Sequence, residues 1–248
     1  MADDKIPGLV PLSKASLKLL RGTARKEPEL CFADESIAAY AAFRGHVYNP
    51  QSVLYPSCGF DASPARVFPN VTFVDIDIGG NEGCVRKLQE AGLHAFRQDI
   101  RDYTPQELHD LLILLNPCIR TEWASRHLKP GGYVLANDYH GNASEMHRQP
   151  EQFTLWGVID SGRDGNRAVV SRNLEHLFEP VANEEELRTF RPDYYAFLNK
   201  IFRVMAMNTP DFNADGPFEE VWARYRGIMS EGMPSKRVAG RYIFIKNP

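Results

Sequence analysis

Four fully apolar segments, each ending on polar residues, constrain the fold of this chain more than any other feature. They are residues 52–55, 71–74, 111–115 and 133–136. Strands that helices cover on both faces are apolar along their whole length, whereas strands with one exposed face alternate. The segments therefore predict a mostly parallel, doubly wound α/β sheet.

The residues that follow these segments are candidates for a binding site. Gly59, Asp75, Asn116 and Asp138 each come after one of the four segments. In open parallel sheets, ligands bind beyond the carboxyl ends of the strands. The sequence therefore predicts that these residues lie along the ligand-binding edge of the sheet.

The remaining segments complete an α/β domain. Residues 95–98 predict a short strand, and residues 153–159 and 167–170 predict a hairpin across a turn at 164–166. Residues 241–246 predict a closing strand. We expect an N-terminal helical appendage over residues 1–50, with helices near 13–20 and 34–43. The domain itself spans 51–248 and contains a helical insertion at about 174–232.

Composition limits the classes of protein to which the chain can belong. Its 248 residues are 43% hydrophobic and 25% charged, which suits one core-bearing domain with an appendage. The formal net charge of −3 draws it neither to nucleic acid nor to an anionic membrane. Since no bilayer-spanning segment and no signal peptide are evident, a cytoplasmic protein is expected. The four cysteines form no Cys-x-x-Cys pair, and Cys58 and Cys118 are interpreted as small residues in turns.

The order of these elements resembles that of class I S-adenosylmethionine-dependent methyltransferases, which have a Rossmann-like fold. The resemblance covers about residues 50–160 and the last strand. It is carried by the turn at 128–132 (Leu-Lys-Pro-Gly-Gly) and by Asp75 at the end of the second strand. The first loop is degenerate: of the family's alternating glycines only Gly59 is present, and Ser57 replaces the first.

The resemblance implies S-adenosylmethionine as the cofactor. Asp75 matches the acidic residue that binds the ribose, and Asp99 matches the position that contacts the adenine amino group. The complete set of cofactor-binding residues that it implies is Pro56, Ser57, Cys58, Gly59, Asp75, Ile76, Asp99, Ile100 and Asn116.

Two residues are candidates for a catalytic role. Asn116-Pro117 stands where amino-methyltransferases carry an Asn-Pro motif whose Asn accepts a hydrogen bond from the target amine. His140 follows the fourth apolar segment and is suited to act as a base towards a hydroxyl or acid substrate. Asn116, Asn137 and Asp138 offer oxygen ligands, but their order differs from that of metal-dependent relatives, so no metal site is expected.

Two further functions remain open besides a methyltransferase acting on a small molecule. One is a catalytically silent, methyltransferase-like binding or scaffold domain. The other is a Rossmann-like enzyme that uses a different nucleotide, since a fold does not fix a function. A homo-oligomer is compatible with the sequence.

Overall fold

The computed structural model describes residues 29–78, 81–117, 119–161, 168–174, 177–208, 212–229, 233–236 and 239–248. The predicted helix at 13–20, the turn at 164–166 and Cys118 lie outside these residues. The described chain divides into two compact units, which we call the sheet unit and the helical unit. The sheet unit comprises the described residues of 29–178 and 239–248, and the helical unit those of 179–236.

The strands of the sheet unit form one mixed sheet. They are β1 (Val53–Pro56), β2 (Val71–Asp75), β3 (His94–Arg97), β4 (His109–Leu114), β5 (Leu128–Ala136), β6 (Phe153–Ser161), β7 (Ala168–Ser171) and β8 (Arg241–Lys246). Their order is β3-β2-β1-β4-β5-β8-β6-β7. The first five strands in this order are parallel, and β8, β6 and β7 pair antiparallel. The predicted fold class is therefore confirmed.

The helices of the sheet unit are short apart from the first. They are α1 (Asp34–His46), α2 (Cys84–Glu90), α3 (Thr121–Ser125) and α4 (Asn142–His147), with a 3₁₀ helix at Ser63–Arg66. The sequence did not predict α4. Asp138 holds its first turn, because the carboxylate accepts hydrogen bonds from the Ser144 backbone N–H at 2.7 Å and from its hydroxyl at 2.6 Å.

The two faces of the sheet build separate cores, as the fully apolar strands predict. Along β4, Leu111 and Ile113 point to the face that α1 covers, while Leu112 and Leu114 point to the face of α3 and α4. All four are fully buried, and each such side chain contributes about 1.5–3 kcal/mol of transfer free energy. Burial on both faces fixes β4 in the centre of the sheet and leaves only its ends available for ligands.

The helical unit contains α5 (Glu184–Phe190), α6 (Pro192–Asn208) and α7 (Phe218–Met229). All three helices lie within the helical insertion predicted at about 174–232. Trp222, Tyr225 and Phe202 centre its own hydrophobic core. Within the described part of the chain, no helix has the length and hydrophobicity needed to cross a membrane.

Candidate functional site

The loop after β1 has an unusual backbone conformation. Ser57 and Gly59 both have left-handed φ angles, of 52° and 53°. This conformation costs an L-residue about 1–2 kcal/mol, whereas glycine adopts it freely. Ser57 therefore adopts a strained conformation at a position where a glycine would not be strained. Asp61 ends the loop and accepts hydrogen bonds from the Tyr55 hydroxyl at 3.0 Å and the Ser63 N–H at 2.9 Å.

Asp75 anchors this loop to the end of β2. Its carboxylate accepts hydrogen bonds from the backbone N–H groups of Gly59 at 3.0 Å and Asp77 at 2.7 Å. The residue is only 3% exposed. Burial raises the pKa of Asp75, and the two N–H groups oppose that shift. The Asn81 side chain also hydrogen-bonds to this carboxylate. Because a carboxylate offers about four acceptor sites, these three partners leave one for a ligand.

Asp99, at the end of β3, is paired with a neighbour. Both of its carboxylate oxygens accept hydrogen bonds from the Arg101 guanidinium, at 3.0 and 2.7 Å. The Arg101 side chain lowers the pKa of Asp99, which therefore stays ionised. Of the two isoleucines predicted to bind the cofactor, Ile76 is 38% exposed directly after β2, whereas Ile100 is buried.

Asn116 and Asn137 join the ends of β4 and β5. The Asn116 backbone N–H donates to Asn137 Oδ1 at 3.0 Å, and Asn137 Nδ2 donates to Asn116 Oδ1. Since a backbone N–H can only donate, this pair fixes the orientation of both amides. Asn116 also has a left-handed φ of 52°, which asparagine tolerates better than most residues. Its Nδ2 group and the second lone pair of its Oδ1 atom remain for a ligand.

A cavity of about 520 Å³ connects these loops within the sheet unit. Its size falls within the range of about 300–1,000 Å³ that is typical of small-molecule sites. The lining residues come from the first turn of α1, the end of β1 and the loop after it, the loop between β2 and α2, the ends of β4 and β5, and the start of β8. They are Glu35, Ser36, Tyr55, Ser57, Cys58, Gly59, Phe60, Asp61, Asn81, Leu115, Asn116, Asn137, Gly240 and Arg241.

The cavity brings together some of the predicted site residues but not all. Ser57, Cys58, Gly59 and Asn116 line it. Pro56, Asp75, Ile76, Asp99 and Ile100 are not among its lining residues, although each lies in or directly after β1, β2 or β3 at the same sheet edge.

His140 also lies outside the residues that line the cavity. It is half-buried, and its ring packs edge-on against Tyr139 with the centroids 5.0 Å apart. Its role as a base stays a prediction. Among the described residues, no cluster of three or more His, Cys, Asp or Glu side chains is arranged to hold a metal ion.

Helix α1 and strand β8 also contribute to the cavity, which the sequence did not predict. Ser36 and Arg241 line the cavity, and the Arg241 Nη2 group donates to the Ser36 hydroxyl at 2.8 Å. These residues are 205 positions apart in the chain, so no local pattern connects them. The one available signal was the cation at the first position of the closing strand, directly before the apolar residues 242–245.

No protein-family model matches this chain, and no curated protein matches it in sequence. Solved structures with a similar fold include the N-methyltransferase NodS from Bradyrhizobium japonicum in complex with S-adenosyl-L-homocysteine. That structure is 15% identical, covers 64% of this chain and 96% of its own, and gives a TM-score of 0.43.

Two further solved structures with a similar fold align with different fractions of this chain. The sugar N-methyltransferase KedS8 from Streptoalloteichus is 18% identical over 55% of this chain and 57% of its own, with a TM-score of 0.34. A putative O-methyltransferase from Nostoc punctiforme is 16% identical over 87% of this chain and 56% of its own, with a TM-score of 0.42. At these identities and scores, the similarity carries no activity, cofactor or substrate over to this chain.

Proposed function

We propose that this protein is an S-adenosylmethionine-dependent methyltransferase that acts on a small molecule. The supporting observation is the position of the cavity relative to the strand order. From β1 the chain proceeds outward to β2 and β3 on one side, and β4 and β5 lie on the other. Ligands of such sheets bind at this reversal, beyond the carboxyl ends of the strands. The cavity is lined by the residues after β1 and β4, the two strands at the reversal.

The residues present fit the cofactor at this edge. The left-handed loop at Ser57 and Gly59 would hold the methionine part, and Asp75 would bind the ribose with the acceptor capacity that Gly59, Asp77 and Asn81 leave. The exposed Ile76 side chain would cover one face of the adenine, and Asp99 would face its amino group. Pro56, Cys58 and Ile100 are buried and would support these contacts.

The chemistry asks for alignment more than for acid–base catalysis. The bound sulfonium supplies the reactive methyl group, and correct placement of the acceptor supplies most of the rate gain. Asn116 Oδ1 would accept a hydrogen bond from an amine acceptor, because Asn137 already fixes its orientation. His140 would serve only for an acceptor that must lose a proton.

Calorimetric titration with S-adenosylhomocysteine, S-adenosylmethionine and NAD tests the proposal. Gly59→Ala and Gly92→Ala form a matched pair, because both glycines have positive φ angles, of 53° and 78°. A Cβ atom at Gly59 would lie 3.0 Å from the Asn81 side chain, whereas at Gly92 it would meet nothing within 4 Å. We expect only the Gly59 variant to lose S-adenosylhomocysteine binding. Equal binding by both variants would place the cofactor elsewhere.

One observation favours the catalytically silent alternative. Asp75, Asp99 and Asn116 each already have a partner within the protein. A domain that had lost its cofactor would have the same internal pairing. If neither S-adenosylhomocysteine, S-adenosylmethionine nor NAD binds, this alternative replaces the enzyme. Binding of NAD alone would instead indicate the Rossmann-like enzyme with a different nucleotide.

A further inference from the structure

We propose that Arg241 is the anion-binding residue of the cavity and that its ligand is a carboxylate. This inference rests on one part of the proposed function, namely that a small molecule binds in the cavity. Arg241 opens β8, lines the cavity and is only 6% exposed. It therefore combines a buried positive charge with access to the space where a ligand would lie.

The protein satisfies little of the hydrogen-bonding capacity of this guanidinium. An arginine carries five N–H donors. The Ser36 hydroxyl accepts one hydrogen bond, and the Tyr40 ring lies 5.7 Å from the guanidinium carbon. The Nε group is buried without a hydrogen-bond partner among the described residues. No described carboxylate forms an ion pair with it.

A buried cation in this state favours an anionic ligand. Moving a charge out of water costs several kcal/mol unless a partner and further hydrogen bonds compensate for the loss. A carboxylate would do so, because its two oxygens match the planar guanidinium. The first turn of α1 also lines the cavity through Glu35 and Ser36, and the Ser36 hydroxyl lies beside Arg241 as its hydrogen-bond partner.

The other charges of the cavity are compatible with such a ligand. Asp61 directs one carboxylate oxygen at the Tyr55 hydroxyl and the other at the Ser63 N–H, and it forms no ion pair with Arg241. Glu35 is exposed on the first turn of α1, where solvent screens it. Asn116 Nδ2 adds a neutral donor to the lining. Arg241 therefore remains the cation that can meet an incoming carboxylate.

Two ligands could supply this carboxylate. One is the amino-acid end of the cofactor, and the other is an acidic methyl acceptor. Arg241, the first residue of β8, lies beside the end of β5, on the side of β1 away from β2 and β3. Both sources share the same chemistry, and titration distinguishes them.

The first arm compares S-adenosylhomocysteine with 5′-methylthioadenosine, which lacks the carboxylate. If Arg241 binds the cofactor, Arg241→Gln should weaken S-adenosylhomocysteine binding about 10- to 100-fold and leave 5′-methylthioadenosine unchanged. The second arm compares benzoate with the neutral benzamide on protein saturated with S-adenosylhomocysteine. If Arg241 binds the acceptor, the wild type should prefer benzoate at least about tenfold, and Arg241→Gln should abolish that preference.

Arg148→Gln provides the matched control, since it removes the same charge from an exposed position outside the cavity. Arg241→Lys keeps the charge without the planar fork and should retain part of the preference. If Arg241→Gln affects neither arm, the proposal is overturned. If that variant does not fold, the wild-type protein still tests the proposal. The proposal is overturned if the wild type binds benzoate no better than benzamide and S-adenosylhomocysteine no better than 5′-methylthioadenosine.

The two proposals fail in different ways. If neither S-adenosylhomocysteine nor 5′-methylthioadenosine binds, the proposed function fails. The benzoate and benzamide titration of the ligand-free protein still tests Arg241. A preference for benzoate that Arg241→Gln abolishes would then support the anion site without the cofactor.

Discussion

Two buried charges at opposite edges of the same sheet have very different surroundings. At the amino-terminal edge, Asp110 accepts hydrogen bonds from the backbone N–H groups of Gln51 at 2.8 Å and Ser52 at 3.0 Å, and pairs with the Lys129 ammonium at 2.7 Å. At the carboxyl edge, Arg241 has one hydroxyl partner. The protein itself therefore compensates the charge of Asp110 almost completely, whereas the charge of Arg241 is left for a ligand.

The difference separates a structural charge from a functional one. Burial by itself would raise the pKa of Asp110, but the hydrogen bonds from Lys129, Gln51 and Ser52 outweigh it and hold that pKa below its usual value. Asp110 thereby ties the start of β1 to β4 and β5. The hydrogen bonds and the ion pair of Asp110 therefore stabilise the amino-terminal edge without a ligand. Substitutions at the two edges should consequently affect different measurements.

The largest effect is expected at Asp110. Asp110→Ala should lower the free energy of unfolding by about 2–4 kcal/mol, since stranding each backbone N–H costs about 1–3 kcal/mol. The ion pair adds little, because the Lys129 side chain is 45% exposed. Denaturant titration measures the loss, and Asp110→Asn, which can still accept from the backbone, should lie between wild type and alanine. A change below 0.5 kcal/mol would contradict the structural assignment, because it is within the range of ordinary surface substitutions.

Asp75 tests whether an acid at the carboxyl edge behaves like Asp110 or like a ligand contact. Asp75→Asn should weaken S-adenosylhomocysteine binding by about 1–3 kcal/mol, the cost of losing hydrogen bonds to a charged group. Calorimetry gives the affinity, and thermal unfolding of the same sample gives the stability. Lower stability with unchanged affinity would show that Asp75 stabilises the fold, as Asp110 does, and does not contact the ligand.

The pH dependence of stability should originate partly at the amino-terminal edge. His109 is buried there, with its Nε2 atom 3.2 Å from the Tyr103 hydroxyl, and burial lowers its pKa from 6.5 to about 4. Between these values the unfolded chain binds a proton that the folded chain does not, so stability falls as the pH drops from 6.5 to 4. We expect about 1–2 kcal/mol after solvent screening.

Chemical denaturation across this pH window measures the slope. Burial also lowers the pKa of His127, so His109→Gln should reduce the slope without abolishing it. Identical slopes for wild type and variant would show that His109 makes no contribution.

The smallest effect on stability is expected at Arg241. Arg241→Met removes a buried cation that has one hydrogen-bond partner and keeps most of the side-chain volume. We therefore expect a free energy of unfolding within about 1 kcal/mol of wild type, or slightly above it. Denaturant titration beside Asp110→Ala gives the comparison directly. A loss as large as that of Asp110→Ala would make Arg241 a structural charge.

The sequence by itself determined the sheet. The segments at 52–55, 71–74 and 111–115 overlap β1, β2 and β4, because a strand that is apolar along its whole length is stable only between two covered faces. The closing strand was predicted with its observed bounds, Arg241–Lys246. Local patterns sufficed for these elements, since burial and hydrogen bonding repeat along each strand.

Only the tertiary structure decided which polar groups meet. Sequence placed Asp75 and Asn116 at strand ends, but it gave no indication that Gly59 would occupy one carboxylate oxygen or that Asn137 would hold the Asn116 amide. It offered even less for Arg241 and Ser36, which are 205 residues apart. The position of a strand in the sheet depends on how the crossovers pack, and the partners of a buried charge follow from that packing rather than from neighbouring residues.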